Sequence, residues 1–204
     1  MVMAAVAIDS KTAAALSRRG LTDSKTYGAG EAAHAVRSEL AAEIRKRALF
    51  VDSIVVSHTE IDERVARNEL NVLERELAIR LIDKAPTVDK IIADGKRMFA
   101  PLCARYGHFE SRDRAEEHHA AVAAASVIAK VLRDEHFNAI RQQYEGELGP
   151  ITGGGYANAA TRRWVRAYVE KHRRMPVEMR MTWPHPYVAD LIEVLKPSAQ
   201  LALI

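Results

Sequence analysis

The segment that most constrains the fold is a run of small residues in the second half of the chain. At every position from 120 to 129 the side chain is alanine, valine, isoleucine or serine. Alanine is the strongest helix former, so the run predicts a helix whose small side chains let another backbone or a ligand approach closely. Carboxylates precede it at Glu116 and Glu117, and basic Lys130 follows it. The pattern therefore predicts either a tightly packed core helix or the floor of a site for an anionic ligand, and the segment alone leaves both open.

The composition narrows the class of protein. The 204 residues are 48% hydrophobic and 28% charged, as in ordinary globular proteins, and suffice for one domain with a proper core. A net charge of +3 permits a nucleic-acid partner without requiring one. The single cysteine, Cys103, excludes an internal disulfide and is typical of a reducing cytosol. No apolar run approaches the roughly 20 residues of a membrane span. We therefore expect a cytoplasmic monomer with no membrane partner.

Hydrophobic patterns predict alternating strands and helices. Three apolar segments predict strands: residues 2–8, 50–56 and 90–93. Two amphipathic segments predict helices: residues 31–49, and residues 59–84 with Thr59 as the N-cap. The intervening segment after residue 8 and the charged segment before residue 120 are expected to be loops. This alternation predicts an α/β fold in which helices flank a mixed sheet. We expect one domain over residues 1–204, with a helical C-terminal part from residue 150.

The first candidate site residue is Asp94, which ends the third predicted strand and is followed by glycine. α/β sheets bind ligands at this end of their strands, although Asp-Gly is also a common turn. Glu116 and Glu117 follow on another element, and carboxylates from different elements can share a hard divalent cation. No Cys/His group has zinc spacing, because the adjacent His118 and His119 would point about 100° apart on a helix. The pattern favours a magnesium-type site over a zinc site.

A glycine run in the C-terminal third adds a candidate nucleic-acid contact. Glycines 153–155 lead into Tyr156, and Asn158 or Thr161 is expected to begin an arginine-rich helix. Successive glycine amides can bind an anion, to which a helix N-terminus adds its dipole. A tyrosine at such a turn can stack on a sugar or a base. The alternative is a flexible hinge before an amphipathic helix, and the residues leave both interpretations open.

Four motifs in order resemble one family: Asp23-Ser24-Lys25, Asp94-Gly95, the block AAASVIAKVLRD at residues 123–134, and Gly155-Tyr156. Together they resemble the type 2 ribonuclease H family, ribonuclease HII, with some features of ribonuclease HIII. The resemblance covers about residues 2–172. It implies a ribonuclease H-like α/β fold with a C-terminal helical part. It also implies cleavage of the RNA strand of RNA–DNA hybrids, or of a ribonucleotide embedded in duplex DNA, with Mg²⁺ or Mn²⁺.

The resemblance implies roles for individual residues. Asp94 matches the family's third catalytic, metal-binding carboxylate. Glu116 falls at the fourth, which is usually aspartate in ribonuclease HII and glutamate in ribonuclease HIII. Tyr156 matches the tyrosine that recognises the RNA-to-DNA junction, and Lys25 matches a lysine beside the active-site phosphates. The full set of implied nucleic-acid contacts is Ser24, Lys25, Ser126, Lys130, Gly155 and Tyr156.

The chain departs from the family pattern at its beginning. The family has a strand bearing Asp-Glu-x-Gly-Arg-Gly just before the segment that residues 1–8 resemble. Its acidic pair supplies the first two metal ligands, and its Gly-Arg-Gly backbone recognises the 2′-hydroxyl. Asp9 comes too late in the chain to replace the pair. Either the domain is N-terminally truncated relative to the family, or the reaction has been lost. Truncation would leave an open sheet edge beside residues 2–8.

Three functions are therefore weighed. The first is a ribonuclease HII-type endonuclease that acts by two-metal hydrolysis and leaves a 5′-phosphate. The second is a catalytically dead module that binds hybrids or duplexes, and the third, the least favoured, is a plain α/β scaffold. A two-metal site holds its ions about 3.5–4 Å apart and needs more carboxylates than Asp94 and Glu116. The sequence as given therefore predicts weak or no cleavage.

Overall fold

The computed structural model describes residues 1–24, 26–28, 30–152, 156 and 158–191, without the side chains of Glu145 and Glu147. These residues form four β-strands and seven α-helices. The strands are β1 (Val2–Ala7), β2 (Phe50–Val55), β3 (Ile91–Asp94) and β4 (Phe109–Arg112). The helices are α1 (Ser10–Arg18), α2 (Glu31–Arg47), α3 (His58–Ala66), α4 (Leu70–Lys84), α5 (Lys96–Phe99), α6 (Ala120–Leu148) and α7 (Ala159–His172). The chain divides into two compact units, Met1–Asp134 and Glu135–Ile204, with the boundary inside α6. The single domain with a helical part from residue 150 stays a prediction.

The strands form two hydrogen-bonded pairs. β1 and β2 are antiparallel, with Val2 opposite Val55. β3 and β4 are parallel, with Asp94 opposite Arg112. The predicted α/β class is confirmed, and both strand orientations occur. The three predicted strands are divided between the two pairs, because β1 and β2 pair with each other while β3 pairs with a strand that the sequence did not reveal.

One edge of β1 has no strand partner among the described residues. Both faces of the strand are nevertheless covered: Ala4 and Val6 pack on a core built from α1, α2 and α6, and Met3 packs on a cluster from α3 and α4. Met3 also belongs to the cluster that contains Ile91 and Ala93 of β3, although β1 and β3 are not hydrogen-bonded to each other. Within the described part of the chain, the open edge expected beside β1 is therefore present.

The small-residue run forms the buried side of α6. Ala124 and Val127 are fully buried against Leu16, Ala41 and Ile44 of α1 and α2. The small side chains at these positions let the three helices approach closely, and a longer side chain would have no space. Of the two interpretations, the core helix is confirmed.

Helix α1 replaces the loop expected after residue 8. Asp9 is its N-cap, and the Asp9 carboxylate accepts a hydrogen bond of 2.7 Å from the N–H of Thr12. The segment that follows is rich in alanine, which favours a helix, and Leu16 anchors it in the core. Asp9 therefore serves as a helix cap.

The single helix predicted over residues 59–84 is two helices, α3 and α4. Ser57, and not Thr59, is the N-cap of α3, because its hydroxyl accepts a 3.1 Å bond from the N–H of Glu60. Asn68, with φ of 58°, adopts the left-handed conformation that ends α3. The charged segment expected to be a loop before residue 120 contains β4, whose Phe109 is buried.

The second unit is built on α7. The Asn158 side chain accepts bonds of 3.1 Å from the N–H groups of Ala160 and Thr161, so Asn158 is the N-cap. Trp164 and Tyr168 stack at 5.4 Å in its core, edge-on to Tyr144 of α6. Glycines 153–155 lie outside the described residues. No helix within the described part of the chain is long and apolar enough to cross a membrane.

Candidate active site

Asp94 is the last residue of β3, and its position is fixed from both sides. Its carboxylate Oδ1 accepts a 3.1 Å hydrogen bond from the N–H of Ala115. Gly95 follows with φ of 116°, in the left-handed region. A β-carbon at Gly95 would lie 3.3 Å from Met98 Cε and 3.4 Å from Phe99 Cδ2. Glycine is therefore required for the chain to turn into α5 directly after the carboxylate.

Glu116 reaches the same place from β4. The parallel pairing places the ends of β3 and β4 side by side, and a 3-10 turn over Ala115–Glu117 follows β4. Glu116 is buried within this turn, with 7% of its surface exposed. Burial raises the pKa of Asp94, and the neighbouring Glu116 carboxyl raises it further through its charge and a hydrogen bond, against the opposing bond from Ala115. The structure thus brings the two predicted carboxylates together.

The chemistry of this pair fits a hard divalent cation. Mg²⁺ takes oxygen ligands and commonly uses one or two carboxylates, with waters and phosphate oxygens completing the shell. Two carboxylates whose charges repel each other would gain from a cation between them. Glu117 is turned elsewhere, since it bonds to Arg114 at 2.6 Å. In the part of the chain that the structure describes, no cluster of three or more His, Cys, Asp or Glu side chains could hold a metal. The donor set therefore matches one ion held by Asp94 and Glu116.

Three of the six predicted nucleic-acid contacts, Ser24, Ser126 and Lys130, lie in the first unit. Ser24 is buried, and its hydroxyl lies 2.7 Å from that of Ser126 on α6. Lys130 lies one turn further along α6, with its ammonium 2.6 Å from Asp134 Oδ1. Tyr156 is exposed and belongs to the second unit. The remaining two, Lys25 and Gly155, lie outside the described residues.

A buried ion pair that the sequence patterns did not predict joins α2 to α6. Arg37 of α2 is 2% exposed and donates to the carbonyl of Gly28 at 3.0 Å and to Asp134 at 3.5 Å. Burial acts to raise the pKa of Asp134, but hydrogen bonds and charges from Lys130 and Arg133 outweigh it and lower the pKa. The signal was available, because Arg37 lies on the buried face of α2 between apolar positions. A charge on such a face indicates a buried partner.

Comparisons with known proteins agree on one family. A family model described as ribonuclease HII matches residues 1–185. Ribonuclease HII of Pyrococcus furiosus is 32% identical over 192 residues, covering 90% of this chain and 81% of the relative. Ribonuclease HII of Pyrobaculum arsenaticum is 33% identical over 192 residues, covering 90% and 86%.

Solved structures share the fold. The crystal structure of ribonuclease H2 from Pyrococcus horikoshii OT3 has a TM-score of 0.73 at 24% identity, covering 96% of this chain and 99% of the other. The ribonuclease HII chain in the PCNA:RNase HII complex from Archaeoglobus fulgidus has a TM-score of 0.74 at 26% identity, covering 98% and 90%. With the matching family model and relatives, these similarities show that the chain belongs to the ribonuclease HII family.

Proposed function

We propose that this protein is a metal-dependent endonuclease of the ribonuclease HII type. Its substrates are RNA–DNA hybrids, or duplex DNA with embedded ribonucleotides, and its metal is Mg²⁺ or Mn²⁺. Membership of the family supports the reaction and does not favour a catalytically dead binding module. The observation that carries the site is the adjacency of Asp94 and Glu116 at the ends of the paired strands β3 and β4. The protein is proposed to act as a cytoplasmic monomer.

Asp94 and Glu116 are the residues that would hold the divalent ion. When bound, such an ion activates water and stabilises developing charge in phosphodiester hydrolysis. The two side chains differ in exposure: Glu116 is buried and fixed in its turn, whereas Asp94 is exposed at the strand end. Asp94 is therefore the ligand placed to face a substrate phosphate, and Glu116 is the ligand whose position the fold determines. Gly95 keeps the backbone beside Asp94 free of a side chain.

The substrate contacts are proposed from the positions that match the family motifs. Ser24 and Ser126 form one linked pair of hydroxyls, which hydrogen-bonds α6 to the loop that carries Lys25. Lys25 and Lys130 supply positive charge for phosphates, and Gly155 and Tyr156 supply the junction contact. Phosphate contacts of this kind set position and affinity and depend on salt.

The open edge of β1 supports one more element of the proposal. We infer that full activity requires a further strand beside β1 carrying the family's Asp-Glu pair. In an antiparallel pair, alternate peptide groups point away from the partner strand, so β1 has donors and acceptors free to pair with an added strand. A strand joined ahead of β1 by a tight turn would pair with this edge. The ammonium of Met1 donates to the carbonyl of Val56 at 2.9 Å, and a peptide N–H in its place can donate the same bond.

The test compares cleavage of an end-labelled RNA–DNA hybrid by the present chain and by a version extended with an Asp-Glu-x-Gly-Arg-Gly strand. The present chain should cleave weakly or not at all, and the extended chain should cleave when Mg²⁺ or Mn²⁺ is added. Asp94→Asn or Glu116→Gln in the extended chain should reduce cleavage by orders of magnitude. Asp113→Asn is the matched control, because Asp113 also accepts a backbone hydrogen bond, 2.8 Å from Lys96 N–H.

A binding measurement distinguishes loss of cleavage at the site from misfolding of a variant. In chelator, the hybrid should bind all these versions with similar affinity, and rising salt should weaken each one. Robust cleavage by the unextended chain that survives Asp94→Asn would refute the assignment of the site. Cleavage by the unextended chain that Asp94→Asn removes would keep the site and refute the need for the added strand.

A further inference from the structure

The second unit carries an exposed aromatic and basic surface that none of the roles above uses. We name it the Trp183 surface and define it as Arg162, Arg180, Trp183, His185 and Tyr187. Trp183 is 52% exposed, and the guanidinium carbon of Arg180 lies 4.8 Å from the centre of its ring system. The guanidinium carbon of Arg162 lies 5.6 Å from the ring centre of Tyr187. Both distances are within the range of cation–π contacts.

The surface contains an open cavity. Trp183, Tyr187, His185 and Arg162 line a space of about 420 Å³, together with Pro184 and Pro186. Cavities that bind small molecules range from about 300 to 1,000 Å³ and combine apolar walls with a few polar groups. This one has ring faces and proline for walls, and a guanidinium and an imidazole for polar groups. It is large enough for a nucleobase.

Hydrogen bonds hold the cavity in shape. The His185 imidazole bridges Tyr187 and Arg180. Its Nδ1 lies 3.0 Å from the Tyr187 hydroxyl, and its Nε2 lies 2.8 Å from the Arg180 carbonyl oxygen. Arg166 of α7 donates to the Tyr187 carbonyl at 3.1 Å and to both carboxylate oxygens of Asp190 at 2.9 and 2.7 Å. The Tyr187 and His185 rings are therefore positioned in advance, which lowers the entropy cost of binding a flat ligand.

Charge indicates an anionic ligand. Between residues 159 and 191 the chain has seven Arg or Lys residues and three Asp or Glu residues. Arg162 of the Trp183 surface is exposed. An anion at this surface would complement the excess of positive charge.

We propose that the Trp183 surface binds single-stranded nucleic acid, with a base against Trp183 and the adjoining phosphates at Arg180 and Arg162. A base must be unstacked before its face can contact an aromatic ring, so a single strand fits and the interior of a duplex does not. Arg180 occupies one side of Trp183, and the exposed half of the residue leaves room for a base. The choice of nucleic acid as partner rests on the proposed function, whereas the surface uses neither Asp94 nor Glu116.

The two tryptophans of the chain make the test direct. Trp164 is 8% exposed in the core, so a ligand that stacks on the surface should quench only Trp183. The probe is a short oligothymidylate, which contains no ribonucleotide to be cleaved. We expect it to quench the fluorescence of the wild-type protein and not that of Trp183→Phe. Trp183→Ala and Arg180→Gln should each weaken binding of the labelled probe about tenfold or more, as for loss of one stacked base.

Val177→Ala is the matched control, because Val177 is an exposed apolar residue of the same unit. It should bind as the wild type does, and circular dichroism should show that every variant is folded. Quenching that persists in Trp183→Phe, or equal binding by Trp183→Ala, would overturn the proposal. So would quenching by a proline-rich peptide without quenching by the probe. If Trp183-dependent binding occurs but the extended chain cleaves no hybrid in Mg²⁺ or Mn²⁺, the proposed function fails and this inference stands.

Discussion

Replacing Asp94 by asparagine should stabilise the metal-free protein although it removes a proposed metal ligand. The pKa of Asp94 is raised by burial and by the adjacent Glu116 carboxyl, so the ionised form of Asp94 is unfavourable in the fold. Asparagine has nearly the same shape and carries no charge. Its side-chain oxygen can still accept the hydrogen bond from the N–H of Ala115. The substitution therefore removes repulsion and keeps the contact.

The expected gain in the free energy of unfolding is small, and Coulomb's law sets an upper bound on it. Two unit charges about 4 Å apart repel by about 1 kcal/mol in water-like surroundings. The surroundings of Asp94 partly desolvate its carboxylate, but the residue as a whole is exposed, so solvent screening keeps the repulsion at or below this level. We expect Asp94→Asn to raise the free energy of unfolding by about 0.5–1 kcal/mol, which corresponds to about 2–3 °C in Tm for a chain of this length.

The pH dependence follows from the sign of the shift. Because the pKa of Asp94 is raised in the folded state, the penalty is absent below the ordinary value of 3.8 and develops as pH rises through the raised pKa. The advantage of Asp94→Asn should therefore be full at neutral pH and vanish below pH 3.8. Thermal unfolding in chelator and low salt measures it, with Asp113→Asn as the control.

Adding Mg²⁺ should reverse the order of the two Tm values, so that the wild type becomes more stable than Asp94→Asn. A cation held between Asp94 and Glu116 binds the folded state and raises the Tm of the wild type, whereas Asp94→Asn has lost one of the two ligands. A lower Tm for Asp94→Asn in chelator at neutral pH would refute the like-charge argument. A Tm that Mg²⁺ raises equally in both proteins would refute the metal site.

Three further substitutions and one control, Ala14→Leu, test the scaffold, each by urea unfolding. Asp134→Asn should lower the free energy of unfolding by about 3 kcal/mol because it leaves Arg37 buried without its counter-charge. Since the pKa of Asp134 is lowered in the fold, this difference should shrink as pH falls below 3.8. Ala124→Leu should cost about 1–3 kcal/mol by overpacking, whereas Ala14→Leu on the exposed side of α1 should stay within about 0.5 kcal/mol. Gly95→Ala should cost about 1–3 kcal/mol through strain at positive φ and should also reduce cleavage by the extended chain. An unchanged unfolding midpoint in any of the first, second or fourth variants would contradict the corresponding packing argument.

Sequence patterns predicted the elements whose composition is unambiguous. β1 is a continuous apolar run, β2 is apolar except for Asp52 and Ser53, and α6 is rich in alanine, so local preference and tertiary packing agree. α7 could be placed because Asn158 is a strong N-cap before an amphipathic pattern. These segments would favour the same conformation in most surroundings.

The errors occurred where tertiary contacts decide the conformation. β4 is only four residues long and contains Glu110 and Arg112, and the sequence shows no strand pattern there. Its conformation depends on pairing with β3, which a sequence does not display. The break between α3 and α4 depends on the left-handed backbone of Asn68, inside a segment whose apolar spacing continues on both sides. Short or paired elements of this kind need the rest of the fold to define them.

The residues of the candidate site also differ in whether the sequence could predict their contacts. Asp94 and Glu116 could be predicted as neighbours because a carboxylate at a strand end and the family motifs indicate the same place. Arg37 could be recognised as a buried charge from its position on α2, but its partner Asp134 could not, since the two residues are 97 positions apart on two helices.

The open edge of β1 connects the fold with the candidate site. Met3 of β1, Ile79 of α4 and Ile91 of β3 all pack against one buried cluster. β1 and β3 therefore border the same part of the core, although they are not hydrogen-bonded to each other, and Asp94 ends β3. A strand that paired with the free edge of β1 would belong to the same compact unit as Asp94 and Glu116. Adding one strand that carries the family's Asp-Glu pair would therefore test the open edge and the carboxylate site together.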